Sequence, residues 1–371
     1  MEVNYGILSI IPPIVAITLC FATKQVLVSM FAGLFAGALI ISNFNPFSAA
    51  AYSLNALAVN LQENIILFMF TMFMGVGIAF IWRLGGSHAL ASAAMKKFKK
   101  RRSVCLGTWG LGMACSVNDC LVSAVDGNVF RDICKEYRIS SEKFSYVLDA
   151  TAAPSPALFI SDWLAYQISM IGQGLDAAGI TEITPVSAYI NGLPFNMYSI
   201  FTLIFVGLLM YTGRDYGPML KAEVRALKTG QFTKPGAKPM LDVGSELGEA
   251  KTTKPMIRSF VLPIAIAFGV IIFGILYTGI SNPARTGSDI MSILDACDAT
   301  LALYWGSFAM AITGIVLALG TKILTFEETM NTVIDGFKLM ATTGAILVMA
   351  WSLASVTQSL GLGDFVATYV G

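Results

Sequence analysis

The sequence predicts an all-α fold, that of a polytopic membrane protein with inverted-topology repeats, a re-entrant hairpin and discontinuous helices. Three observations carry the prediction. Of the 371 residues, 56% are hydrophobic and 13% charged, where a soluble domain carries about 25% charge. Apolar runs that reach or approach the roughly 20 residues a helix needs to cross a bilayer recur over almost the whole length. Basic residues gather in a few short segments between those runs, the pattern that orients a multi-span chain.

The first apolar run, residues 8–20, has no basic stretch before it and contains Pro12 and Pro13, so it reads as a retained span and not as a cleaved signal peptide. Helical segments follow at 25–42, 64–84, 104–134 (interrupted), 144–173 (interrupted), 196–213, 259–280, 301–320 and 337–358, the first segment itself covering 7–22. The run KKFKKRR, residues 96–102, holds six basic residues and no acidic one, which places it in the cytoplasm. Residues 214–258 carry nine Lys or Arg against five acidic residues and are rich in Gly, Pro and Thr, so they read as a cytoplasmic linker. Segments 174–195 and 281–300 contain Arg285 as their one basic residue and belong outside. The net charge of +1 predicts no nucleic-acid partner. Six cysteines without a CxxC pair predict neither a disulfide framework nor a zinc site.

Residues 29–47 are similar to 307–326, each a Gly/Ala-rich span ending at a Phe. Past Phe47 and Phe326 comes a short amphipathic stretch, 48–60 or 327–339, then an apolar span that closes on glycines: Leu84, Gly85 and Gly86 in one copy, Leu360, Gly361 and Gly363 in the other. The charge rule runs 25–42 outward and 301–320 inward, so the copies are inverted, as in many secondary transporters. The expected organisation is a first repeat at 1–213, a linker at 214–258 and a partial second repeat at 259–371. The counterpart of 104–173, about 70 residues, has no match after Gly371, so the second repeat is expected to be incomplete and the sequence a fragment.

Between Lys100 and Lys143 the chain leaves one cytoplasmic basic cluster and returns to another, which fits a hairpin that enters the membrane and turns back. Its middle holds Ser116, Asn118 and Asp119 after Gly107, Gly110 and Gly112. Irregular backbone at membrane depth is tolerated where it lines a cavity or is buried in protein, so a polar turn there points to a binding site. Ser116, Asp119, Ser123 and Asp126 fall on one helical face. An ionised carboxylate at the bilayer centre costs about 3 to more than 10 kcal/mol, so Asp119 needs a partner, a proton or a cation. The plainer reading makes Asn118 or Asp119 a helix N-cap, and Asp126 a solvated carboxylate or a partner of Arg131.

The second interruption reads DATAAPSPA, residues 149–157, followed by Ser161, Asp162 and Trp163. Two prolines in three residues remove backbone donors and free carbonyls at mid-membrane. Those carbonyls, with the Thr151 and Ser155 hydroxyls, make an all-oxygen set suited to a sodium ion; the alternative is a proline kink repaired by neighbouring hydroxyls. Asp149 is expected to face the cytoplasmic vestibule and Asp162 the external half of the pathway, with a structural ion pair as the alternative for each. His88 and Glu63 read as interfacial residues, and Arg83 as a side chain that snorkels from the end of its span.

Several of these runs resemble the NhaC-type sodium/proton antiporters, a family that includes malate/lactate exchangers, within the ion transporter superfamily. The similarity rests on LSIIPPI at 8–14, Thr23 and Lys24, the Asn118–Asp119 turn, ISSEK at 139–143, and DATAAP at 149–154 with Ser161, Asp162 and Trp163. The resemblance implies a paired-acid turn, whose first position is here Asn118, leaving a single carboxylate. It also implies a multi-pass protein of the cell membrane surrounded by lipid, a homodimer, and no cofactor beyond the transported Na+ and H+. The expected function is sodium/proton antiport, with sodium held at Asn118, Asp119, Thr151 and Ser155. The alternative is exchange of a small organic anion such as malate or lactate. A membrane-embedded enzyme is disfavoured, because the sequence lacks HExxH, GxSxG and a phosphate-binding loop.

Overall fold

The computed structural model describes residues 5–114, 127–155, 157–158, 162–180, 183–236, 256–283, 285, 287 and 290–370. Some side chains inside helices, those of His88 and Asp162 among them, also lie outside the description. In chain order the helices are α1 (Ile11–Thr23), α2 (Val26–Ile41), α3 (Pro46–Glu63), α4 (Ile65–Arg83), α5 (Gly86–Lys97), α6 (Arg101–Ala114), α7 (Gly127–Glu136), α8 (Ser141–Ala152) and α9 (Asp162–Ala177). Then come α10 (Pro185–Gly192), α11 (Met197–Thr212), α12 (Gly217–Thr229), α13 (Arg258–Ser281), α14 (Ile290–Ala296), α15 (Ala299–Gly320), α16 (Phe326–Ser359) and α17 (Leu362–Val370). Among the described residues six helical runs are long and apolar enough to cross a membrane: Gly6–Thr23, Ile65–Arg83, Met197–Thr229, Arg258–Ser281, Ala299–Gly320 and Phe326–Ser359. The protein is an all-α, polytopic membrane protein, and every apolar segment read from the sequence has its helix.

The chain forms two compact units, one of residues 1–72 with 340–371 and one of residues 73–339. In the first, α1 lies against α2 at very close range. A Cβ on Gly33 would sit 2.7 Å from the Pro12 carbonyl oxygen and 2.8 Å from the Ala16 Cβ, and one on Gly37 would sit 2.5 Å from a Val356 methyl. Lipid tails are as apolar as Leu, so helices in a bilayer associate through close packing at small residues more than through water exclusion. Leu34, Ile40, Ala56, Val356 and Leu360 form the core of this unit. In the second unit Val76, Phe80, Leu84, Ala311, Ala318 and Leu324 do the same.

The two stretches that are similar in sequence, 29–47 and 307–326, end in turns of like geometry. After α2, Asn43 turns left-handed at φ 49°, and after α15 Lys322 does so at φ 55°. Ser42 N–H donates to Ala38 O at 2.9 Å, and Thr321 N–H to Leu317 O at 3.0 Å. The glycine closures match as well, with Gly85 at φ 70° and Gly361 at φ 72°, each behind a fully buried leucine, Leu84 and Leu360. Only glycine adopts that φ without steric cost, so the residue type follows from the turn.

Two features add to the sequence reading. The amphipathic stretch 48–60 is in a helix of its own, α3, which stops at Asn64 before α4 begins, whereas 327–339 continues without a break into the 34 residues of α16. Asn60 Nδ2 donates to Ala56 O at 2.8 Å and Asn64 Nδ2 to Asn60 O at 3.0 Å, side-chain bonds that compete with the helical ladder. Arg83 does not simply snorkel: its Nη2 lies 3.7 Å from Asp335 Oδ2 on α16.

Within 214–258, residues 217–229 are a helix and not a loop, opened by Gly217 and Pro218 and closed by Gly230 at φ 71°. Ala222, Glu223 and Ala226 are buried along one side of it. Glu223, 2% exposed, pairs with Arg101 at the start of α6, and lies 3.6 Å from Lys143 Nζ on α8. Lys143, 1% exposed, also pairs with Asp215 at 2.7 Å. At the rim of the same contact Arg225 makes two hydrogen bonds to Glu142, at 2.9 and 2.7 Å. Those bonds hold the Glu142 carboxyl below its ordinary range.

Two outcomes follow from this packing. Gly33→Val is expected to lose about 1–3 kcal/mol of stability through overpacking, read as a lower unfolding temperature in detergent. Gly269→Val, at a glycine with nothing within 4 Å of an added Cβ, is expected to leave that temperature unchanged. Arg225→Gln is expected to cost less than about 1 kcal/mol at pH 7, since the pair is partly exposed. Because the folded Glu142 pKa is depressed, that contribution is full above the ordinary value of 4.5 and fades as pH falls through the lower folded value. Unfolding midpoints of Arg225→Gln and the unaltered protein should therefore converge on acidification.

Candidate functional site at the broken helix

Helix α8 begins where Ser140 accepts a hydrogen bond from Lys143 N–H at 3.3 Å, with Glu142 in the first turn where the helix dipole favours negative charge. It ends at Ala152 because the next residues are Ala153, Pro154, Ser155 and Pro156. Two backbone bonds continue past its end: Ala153 N–H to Asp149 O at 3.2 Å and Ser155 N–H to Thr151 O at 3.3 Å. The carbonyls between them, Ala150 and Ala152, would receive their donors from residues 154 and 156, and both of those are proline. The break therefore removes donors from alternate carbonyls, Ala150 and Ala152, while Asp149 and Thr151 keep theirs.

Two hydroxyls lie at the same place. Thr151 is fully buried and donates its hydroxyl proton back to its own helix, 2.8 Å from Val147 O and 3.1 Å from Leu148 O, which leaves its oxygen lone pairs for another partner. Ser155 is also fully buried, and its Oγ has no hydrogen-bond partner among the described residues. A buried polar atom without a partner costs about 1–3 kcal/mol, so each one asks for a reason. Freed carbonyls, a lone-pair hydroxyl and an orphaned hydroxyl within a few residues make an oxygen-rich patch with no compensating cation of the protein's own in the described contacts.

Beyond the break, Leu158 N–H donates to Ser155 O at 2.9 Å and Tyr189 Oη donates to Ala157 O at 2.7 Å. Tyr189 comes from α10, in a segment read from the sequence only as external. Its helix starts with Pro185 in the first turn and Thr184 as N-cap, accepting from Ser187 N–H at 3.2 Å. That start signal was present in the sequence, but nothing in it said that the tyrosine would reach a carbonyl of the broken helix.

Of the residues singled out from the sequence, Thr151 and Ser155 come together at the break. Asp149 lies on the same helix with an exposed side chain. Asp162 opens α9, and its side chain lies outside the described residues. Ser116, Asn118, Asp119, Ser123 and Asp126 all fall within residues 115–126, outside the described residues. The flanks of that segment are described. Phe98, before α6, has its ring centroid 5.6 Å from that of Phe130 in α7, and Tyr137 Oη lies 3.5 Å from Phe98 O. These contacts hold the stretch just before α6 against α7 and the residues that follow it. Trp109 of α6 donates to Leu203 O of α11 at 3.1 Å, and α8 packs against both α6 and α7.

Comparison with known proteins adds the family. A family model described as the Na+/H+ antiporter family matches residues 157–371, from just after Ser155 onward. An uncharacterized protein of Haemophilus influenzae is 29% identical over 382 aligned positions, which cover 100% of this chain and 70% of that relative. No solved structure matches. Because that match covers more than half of the chain, the chain belongs to the Na+/H+ antiporter family.

Proposed function

We propose that the protein is a secondary active transporter that exchanges sodium for protons across the cell membrane by alternating access, with the broken helix α8–α9 supplying part of the ion site. The observation that carries this reading is the buried, unpartnered Ser155 Oγ between two prolines, next to the buried Thr151 Oγ1. Sodium is a hard cation that takes oxygen ligands, and a discontinuous helix offers unwound carbonyls for that purpose in many transporters. Thr151, Ser155 and the freed carbonyls are neutral ligands, so the set needs one titratable group if a proton is to exchange for the ion. Asp119 is that group in our reading, alternating between a proton and sodium, with Asn118 and Ser116 adding oxygens. Asp126, Ser123, Asp149 and Asp162 line the approach on either side. A single carboxylate limits this site to one proton per turnover, so Na+ would leave as H+ enters in equal charge.

The similarity to NhaC-type antiporters, the inverted arrangement of the two copies and a homodimeric assembly belong to the same proposal. A second reading, exchange of a small organic anion such as malate or lactate coupled to sodium or protons, rests on helix N-termini near the hairpin tip. Uptake of radiolabelled malate or lactate into vesicles, driven by a sodium or proton gradient, separates the two. The primary test is sodium-dependent proton movement in vesicles bearing the protein. Asp119→Asn is expected to abolish it. Thr151→Val and Ser155→Ala are expected to raise the sodium concentration for half-maximal rate by about tenfold, the low end of what losing a group around a metal site costs. Unchanged exchange by Asp119→Asn would sink the assignment of the carboxylate.

A further inference from the structure

We infer that Glu223, on the helix Gly217–Thr229, is a positioning residue for the ion site, holding the broken helix and the first arm of the hairpin in fixed register. The inference rests on the reading of α8 as an ion-site helix. Glu223 Oε1 accepts the backbone N–H of Ser140 at 2.7 Å, directly at the N-cap of α8. Its Oε2 pairs with Arg101 Nη2 in the first residue of α6 and lies 3.6 Å from Lys143 Nζ in the first turn of α8. One carboxylate therefore touches the start of α8, which carries Thr151 and leads to Ser155, and the start of α6, which leads into residues 115–126, and its side chain is 2% exposed.

The burial is what makes this a device and not a surface ion pair. A carboxylate taken out of water is held only where hydrogen bonds and counter-charges satisfy it closely, so Glu223 tolerates little displacement of either helix. The contacts bind backbone as well as side chain: the Ser140 amide is part of the helix start itself, and its position sets where Thr151 and Ser155 fall three turns along. Neighbouring contacts reinforce the same docking. Ser141 N–H donates to Phe232 O at 2.9 Å, and Arg138 Nη1 to Leu227 O at 3.2 Å. The charged groups around Glu223 from every element packed there are Arg101 of α6, Lys143 of α8 and Asp215 at the entry to α12. Two cations thus face two carboxylates, so the cluster is neutral and needs no external ion. The segment that charge alone marked as a linker is in this account a clamp on the transport helices.

The test uses the protein reconstituted in vesicles, with sodium half-saturation and maximal rate measured separately. Glu223→Gln keeps an acceptor for Ser140 N–H but removes the charge facing Arg101 and Lys143, and it is expected to raise sodium half-saturation by about tenfold, the order that loss of a ligand-orienting partner costs. Glu223→Asp, which restores the charge, is expected to recover most of the shift. Arg225→Gln, breaking the rim pair between the same two helices, is expected to leave half-saturation unchanged. Unaltered half-saturation in a monodisperse Glu223→Gln protein would overturn the inference. So would failure of both Glu223→Gln and Glu223→Asp to accumulate as monodisperse protein, which would assign Glu223 to folding alone. Thr151→Val and Ser155→Ala measured in parallel separate the two ideas. If they shift half-saturation and Glu223 does not, only the clamp falls. If they are inert, the ion site at the break falls, and the route proposed for Glu223 falls with it.

Discussion

The rest of this protein depends on one constraint: inside a bilayer there is no water to satisfy a backbone N–H or C=O, so the chain must stay helical or supply a replacement partner. Most of the chain meets it with uninterrupted spans. Residues 153–157 do not, and the way the ladder fails there is specific. Pro154 and Pro156 take donors from alternate carbonyls, leaving Ala150 and Ala152 without their helical bond while Asp149 and Thr151 keep theirs. A plain kink would be repaired by nearby hydroxyls. Here Thr151 bonds back to Val147 and Leu148, upstream of the break, and Ser155 bonds to no described group. Among the described residues the deficit is left open, and this is the basis of the cation site proposed above.

A broken helix is weak at its break and has to be held elsewhere. Tyr189 takes the Ala157 carbonyl on one side. On the other, the N-terminal end of α8 meets the buried Lys143, Asp215 and Glu223, with the partly exposed Arg101 paired to Glu223. Removing one member of such a set is far more damaging than never having built it, by about 3–5 kcal/mol. The rim pair Glu142–Arg225 adds little stability by comparison. The division of labour is physical: buried charges fix register, exposed ones tune solubility and pH response at the edge.

Helix ends that must turn sharply use a left-handed residue, as at Asn43, Gly85, Lys322 and Gly361. The helices that follow diverge where side-chain chemistry differs. Asn60 and Asn64 bond back to their own helix and separate α3 from α4, while α16 passes through without interruption.

Composition and apolar run length were enough to determine, from the sequence alone, an all-α multi-span membrane protein and the position of its spans, because a bilayer imposes length and polarity on every crossing segment. The proline-rich break at 153–157 was legible for the same reason, since proline removes a donor wherever it sits. The glycine closures at Gly85 and Gly361 could also be read, because a positive φ selects the residue. What only the tertiary structure decided were contacts between segments distant in the chain. Glu223 and Lys143 are ordinary charged residues in sequence, one in a basic, loop-like stretch, and their burial follows from α12 docking on α8. Tyr189 meets Ala157 across 32 residues, and Arg83 meets Asp335 across more than half the chain. Local pattern encodes how each segment folds against lipid; which buried charge faces which is set by the packing of whole helices, and no short window of sequence contains it.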